Sequence, residues 1–357
     1  MKKSSHITAA ADLYMGTESA RSSSTFIQTG SQYAAHQDMQ TVLDEMAFLD
    51  GQPIETLSPS EARRQPTPAD AVLSLLKRLG KDSSPAALVP GVVHVDAEIP
   101  GPAGKLPVRI YQPSGRGPFP VIVFFHGGGW VIADKQVYDG SARGLSKTAQ
   151  AIVVSVDYRR APEAKFPAAW DDALAAYKWV ADNAASINGD PTRLALAGES
   201  AGGNLALATA LAARDAGLHL PTHILAVYPV EQTGSLDTPS YRDSATAKPL
   251  NKAMIEWFVG HLLVAPEEIS DHRLDLVNAR LEGLPPVTII NAQIDPLRED
   301  GAMLADALRN AGVVVHRSVY LGMTHEFFGM AAVVQQADDA QRAAGQALRK
   351  SFGKHAV

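Results

Sequence analysis

Leu194-Ala195-Leu196-Ala197-Gly198-Glu199-Ser200-Ala201-Gly202-Gly203-Asn204 passes from an apolar run, through a serine between glycines, into an alanine-rich stretch ending near Arg214. The apolar run predicts a short buried strand and the stretch after Ser200 a helix. Gly-x-Ser-x-Gly between the two predicts a sharp strand-to-helix turn that lifts the serine hydroxyl above the end of a sheet. Glycines are needed on either side because backbone passes too close for a Cβ. The start of the following helix favours negative charge developing beside the serine. Phosphate binding would use other spacings, Gly-x-x-x-x-Gly-Lys-Ser/Thr or Gly-x-Gly-x-x-Gly, and neither opens a helix here.

Outward from this turn, the chain alternates strand and helix. Strands are expected at Val92–Ile99, Leu106–Tyr111, Phe119–Phe125, Ile152–Asp157, Leu194–Ala197, Ile224–Tyr228, Val287–Asn291 and Val313–Tyr320. Val121-Ile122-Val123-Phe124-Phe125 is apolar without alternation, as in a strand buried on both faces. Helices are expected at about 140–150, 168–185, 201–217, 299–311 and 333–352. The class is therefore α/β, a mostly parallel sheet flanked by helices. Residues 1–35 are Ser-, Thr- and Ala-rich and predict an N-terminal extension. Residues 36–90 predict two amphipathic helices, and 232–282 interrupt the alternation as an insertion. That leaves 91–231 and 283–357 for the α/β domain.

The strand Val121–Phe125 runs into His126-Gly127-Gly128-Gly129-Trp130. Consecutive glycines let main-chain N–H groups turn toward one point, as stabilising a tetrahedral oxyanion requires. The amides of Gly128, Gly129 and Ala201 are the expected donors. A serine nucleophile also needs a histidine base and an acid, following in the order Ser, Asp or Glu, His. Most of the 11 histidines precede Ser200, flank other strands or sit in the insertion. His316 falls inside the last strand, whereas His325 follows it in a loop, where such sheets place function. Asp295, just past the preceding strand and fixed by Pro296, is the expected acid. Glu299, Asp300 and Asp306 read instead as charges complementing the start of the next helix.

These segments together resemble the hormone-sensitive-lipase-like α/β-hydrolase esterases, bacterial family IV, over about Met39 to Phe352. The resemblance is carried by the two glycine motifs, Asp157-Tyr158-Arg159-Arg160-Ala161-Pro162-Glu163, Asp295-Pro296-Leu297-Arg298 and His325-Glu326-Phe327-Phe328. It implies an eight-stranded, mostly parallel sheet under a helical cap built from 36–90 and 232–282. It also implies hydrolysis of short- to medium-chain acyl esters, no cofactor and, often, a homodimer. Two positions depart from the common pattern: Glu199, where Asp or Thr is usual, and Glu326, where Gly is usual. Glu326 either perturbs the neighbouring histidine or points to solvent.

Composition narrows the alternatives. Against 38 Asp+Glu there are 32 Lys+Arg, a net charge of −6, so nucleic acid is not an expected partner. With no cysteine, disulfides, thiolate metal sites and a cysteine nucleophile are excluded. No metal-binding spacing such as His-Glu-x-x-His occurs. His6 and Asp12 interrupt the apolar run a signal peptide would need, and Val121–Ala133 is shorter than the ~18 residues of a membrane span. A cytoplasmic protein acting on a small-molecule ester, without membrane or nucleic acid, is expected. The rivals are a peptidase or amidase on the same fold and a ligand-binding receptor that kept it, the latter marked by loss of the histidine.

Overall fold

The computed structural model describes residues 13–15 and 29–353. Its strands are β1 Leu13–Met15, β2 Val92–Gly101, β3 Gly104–Pro113, β4 Phe119–Phe125, β5 Ile152–Val156, β6 Gly189–Glu199, β7 His223–Val227, β8 Val287–Ile294 and β9 Val315–Thr324. They form one sheet in the order β1-β9-β8-β7-β6-β4-β5-β3-β2. Only β2 with β3 and β3 with β5 pair antiparallel.

All seven residues of β4 are buried, and their alternation divides them between two cores. Val121, Val123 and Phe125 join one apolar cluster with helices Ala168–Asn183 and Ala201–Asp215. Ile122 and Phe124 join the other, with helices Asp139–Ala149 and Gln335–Ser351. A continuous β-branched and aromatic run is what a strand covered on both faces needs.

The eight expected strands are present, and the sheet has a ninth. Leu13–Met15 pairs parallel with Ser318–Tyr320 at the edge beside β9. Three residues without periodicity carry no strand signal of their own; the partner edge supplies it. Residues 29–35, read from composition as part of an extension, are packed into the body. The Thr29 carbonyl accepts from the Lys248 amide at 3.2 Å, and Ser31 is buried against Ser244, 3.3 Å between hydroxyl oxygens. The remainder of the expected extension, 1–12 and 16–28, lies outside the described residues.

Helices Gln37–Phe48 and Pro68–Arg78 pack together. Thr67 caps the second in a capping box with Asp70, and Pro68 stands at its first position. Buried Glu45 of the first helix accepts from Ser74 at 2.6 Å and from Arg78. The insertion contributes helix Lys252–Leu262, whose Ile255, Phe258 and Leu262 face inward. Asn251 and Trp257 of the insertion donate to Glu55 Oε1 at 3.3 Å and to the Leu57 carbonyl at 3.1 Å, joining it to the N-terminal segment. Among the described residues no helix is long and apolar enough to cross a membrane.

Candidate active site

Strand order places the site. From β4 the chain passes to β5 on one side and returns to β6 on the other, so the loops after β4 and β6 face one another at the switch point. Phe125 pairs with Gly198, which brings His126-Gly127-Gly128-Gly129 beside the turn carrying Ser200.

Ser200 has φ +56° and ψ −120°, a strained conformation held between β6 and helix Ala201–Asp215. Its amide donates to the Val227 carbonyl at 2.9 Å, and its carbonyl accepts from Gly203 and Asn204. A Cβ on Gly198 would stand 2.0 Å from the Gly202 carbonyl oxygen, and one on Gly202 would stand 2.0 Å from that of Phe125. The turn therefore closes only with glycine at both positions.

Sheet register sets the other two groups side by side. Ile294 of β8 pairs with Thr324 of β9, so Asp295 and His325 each stand one residue beyond paired strand ends. His325 Nδ1 lies 2.8 Å from Asp295 Oδ2, while Asp295 Oδ1 accepts from the Leu297 amide at 2.9 Å. Ser200 and His325 line one cavity of about 130 Å³, together with Gly128 and Gly129. No hydrogen bond joins Ser200 to His325; catalytic contacts of this kind often tighten only in the Michaelis complex.

The loop after β4 is held from below. Tyr158 donates its hydroxyl to the His126 carbonyl at 2.8 Å, and its ring stacks on the His126 imidazole at 4.2 Å. Arg159 is spent on Asp172, at 2.8 Å. Trp130 stacks on Trp170, 5.2 Å between ring centres.

Two further carboxyls, besides that of Asp295, stand close to His325. Glu326 does not turn to solvent: it accepts from the Tyr138 hydroxyl, and its Oε1 lies 3.9 Å from His325 Nε2. Glu199 is fully buried and accepts from the Tyr228 hydroxyl. Burial, then the charge of Glu326, pushes the Glu199 carboxyl up to about 8. For His325, burial favours the neutral ring, but the charge and hydrogen bond of Asp295, with Glu326 and Glu199 beyond it, prevail and raise its pKa. Asp300 stands in the first turn of helix Arg298–Asn310, as read from its position, but not as an exposed charge. It is buried behind Asp295, and burial followed by the Asp295 charge raises its carboxyl well above the usual range. Glu231 is buried near it and is raised likewise, first by burial and then by Asp300.

The sequence offered no signal for Tyr138, which reaches the site from the start of helix Asp139–Ala149. Nor did it single out Phe258, whose ring the structure lays over Gly129. The larger cavity is walled by Ala62, Thr67, Pro68, Leu250 and Met254, drawn from both the N-terminal segment and the insertion. A second cavity of about 20 Å³ lies beside Ser200, bounded by Trp130, Val230, Ile255, Phe258 and Leu297. Among the described residues no cluster of His, Asp or Glu is arranged to hold a metal ion.

A family described by the alpha/beta hydrolase fold matches residues 122–329. Carboxylesterase NlhH of Mycobacterium tuberculosis is 40% identical over 293 residues, 80% of this chain and 91% of that one. The ethyl acetate hydrolase of Pseudomonas putida is 32% identical over 294 residues, 80% of this chain and 88% of that one. Among solved structures, the Pyrobaculum calidifontis esterase superposes with a TM-score of 0.77 at 31% identity, covering 85% of this chain and 97% of that one.

Proposed function

This chain belongs to the hormone-sensitive-lipase-like, family IV esterases of the α/β-hydrolase fold, and on that premise we propose that it hydrolyses carboxylic esters with Ser200 as nucleophile, His325 as general base and Asp295 orienting the histidine. The observation that carries this reading is the 2.8 Å contact of Asp295 Oδ2 with His325 Nδ1, which leaves Nε2 as the ring atom available to the cavity shared with Ser200.

His325 Nε2 takes the proton of Ser200 as Oγ attacks the ester carbonyl carbon, and Asp295 stabilises the imidazolium. The oxyanion is held by the amides of Gly128, Gly129 and Ala201, each worth about 3–4 kcal/mol at the transition state. Collapse returns the proton from Nε2 to the leaving alcohol and leaves the acyl group on Ser200. Water, activated by the same histidine, then releases the acid.

The two cavities support a division of substrate. The smaller one beside Ser200 takes a short acyl group, and the larger takes the alcohol. The helices of 36–90 and the insertion 232–282 act together as a cap, supported by the Asn251–Glu55 and Trp257–Leu57 contacts. Family resemblance supports a cytoplasmic homodimer, which cell fractionation and light scattering would check.

The test is a series of p-nitrophenyl esters from acetate to palmitate, with Ser200→Ala as control. Turnover greatest at short acyl chains, and reduced roughly 10⁴–10⁶-fold in the variant, is expected. Retained turnover in Ser200→Ala would overturn the assignment.

A further inference from the structure

Glu326 holds a backbone φ of +70°, in the left-handed region where glycine rests without strain and a side chain does not. A side chain kept there against its backbone preference has something to do. It directly follows His325, and it lines the larger cavity rather than the outer surface. Its Oε1 receives the Tyr138 hydroxyl and faces His325 Nε2 at 3.9 Å. The opposite ring nitrogen, Nδ1, is engaged by Asp295 at 2.8 Å. The imidazole therefore stands between two carboxyl groups, one at each nitrogen.

We propose that Glu326, pinned by Tyr138, is a positioning residue that holds His325 from its Nε2 side, complementing Asp295 on the Nδ1 side. This rests on the reading of His325 as general base. In each half-reaction the proton passes from Ser200 Oγ or water to Nε2, then to the leaving oxygen; Glu326 neither gains nor loses one. Its part is to stabilise the transient imidazolium and fix the ring's tilt toward the cavity.

The groups facing Glu326 come from every neighbouring element: His325 itself, Tyr138, Glu199 at the end of β6, Tyr228 after β7 and Asp295 after β8. Tyr158 feels its charge as well. The arginines lining the same cavity are committed elsewhere, Arg63 to Glu163 at 2.7 Å and Arg160 to the Ala133 carbonyl. Burial raises the Glu326 carboxyl, and the charge of His325 and the Tyr138 hydroxyl oppose that rise. A carboxylate beside Nε2 also stabilises the imidazolium of the resting enzyme, so the arrangement sets where activity is lost on acidification.

The experiment compares kcat and kcat/KM against pH for p-nitrophenyl butyrate in the parent enzyme, Glu326→Gln, Glu326→Gly and Tyr138→Phe, with Ser200→Ala alongside. Gln keeps the shape and an acceptor for Tyr138; Gly removes the side chain and relieves the backbone. The acid limb of kcat/KM should move down by about one pH unit in both Glu326 variants. In both, kcat on the plateau should fall about tenfold with little change in KM, while Glu326→Gly melts no lower than the parent. Tyr138→Phe should reproduce a smaller part of the same change. An acid limb unmoved in both Glu326 variants, beside an inactive Ser200→Ala, overturns this inference alone. Turnover retained in Ser200→Ala would overturn the triad and this inference with it.

Discussion

A β-carbon on Gly129 would stand 2.2 Å from the ring of Phe258. The loop after β4 and helix Lys252–Leu262 are thus in contact with no room for one methyl group, although 129 residues of separation lie between them. The insertion therefore presses on the main chain that supplies the proposed oxyanion donors. Gly129 also has φ +58°, which a side chain tolerates poorly. Gly129→Ala should lower kcat about 10²–10³-fold, the loss expected when one donor is displaced. Removing the obstruction in Gly129→Ala/Phe258→Ala should recover part of that loss, a coupling that steady-state kinetics on the double-mutant cycle would read. Additive effects would show that the two sites do not communicate.

Asp295→Asn should keep the fold and lose most of the activity. The amide oxygen can still accept from Leu297, which turns the NH2 toward His325 Nδ1. That nitrogen must then be the acceptor, the proton moves to Nε2, and the ring no longer serves as a base. A drop in kcat of about 10⁴-fold is expected, with an unchanged near-ultraviolet dichroism spectrum as the check on folding. Full activity would require another acid.

The pH dependence of activity follows from His325. Its pKa is raised above the ordinary imidazole value of 6.5 by Asp295, Glu326 and Glu199, against the opposing effect of burial. With His325 as the proposed general base, catalysis uses the neutral ring, so kcat/KM should reach half its plateau at a pH above 6.5. A half-point below that value would contradict the electrostatics of the site.

Glu199 makes a separate prediction for stability. Burial, then the charge of Glu326, pushes its carboxyl up to about 8 in the fold, against 4.5 for an ordinary glutamic acid. The folded state therefore binds a proton that the unfolded chain releases above 4.5. The contribution to stability is full below pH 4.5, declines as pH rises, and is gone above about 8. Gln cannot ionise and keeps an acceptor for Tyr228. Glu199→Gln should melt several degrees above the parent at pH 8–9 and close to it near pH 5. Equal melting temperatures across this range would show that the carboxyl is not desolvated.

Tyr158→Phe removes only the hydroxyl that ties the His126 carbonyl at 2.8 Å. The buried carbonyl loses a partner, at a cost of about 1–2 kcal/mol in stability. Because that carbonyl belongs to the loop bearing Gly128 and Gly129, kcat should fall about tenfold, by analogy with partial loss of an oxyanion contact, while KM changes little. Thermal melting and steady-state kinetics check both halves.

Much of the molecule is legible in its sequence. The β4 run could only be a strand covered on both faces, because five consecutive large apolar side chains cannot share one buried face. Gly198 and Gly202 marked a close backbone approach, and the structure shows the carbonyl oxygens a Cβ would strike. Asp295 and His325 stood out because each lies just beyond an expected strand; the structure extends those strands to Ile294 and Thr324, and their parallel register brings the two together. Other features left no such mark. Leu13–Met15 becomes a strand only because the edge of β9 offers hydrogen bonds to it. Asp300 looked like a helix-start charge, and only the packing around it reveals a buried acid.

What the sequence determined by itself was the α/β class, the order of its parts and the candidate serine, acid and histidine near strand ends, since local periodicity and glycine geometry act over a few residues. Tertiary structure alone decided how Phe258 meets Gly129, how Tyr138 reaches Glu326 and which carboxyls are stripped of water. Those relationships join segments distant along the chain, and desolvation depends on everything packed around a group, which no local pattern encodes.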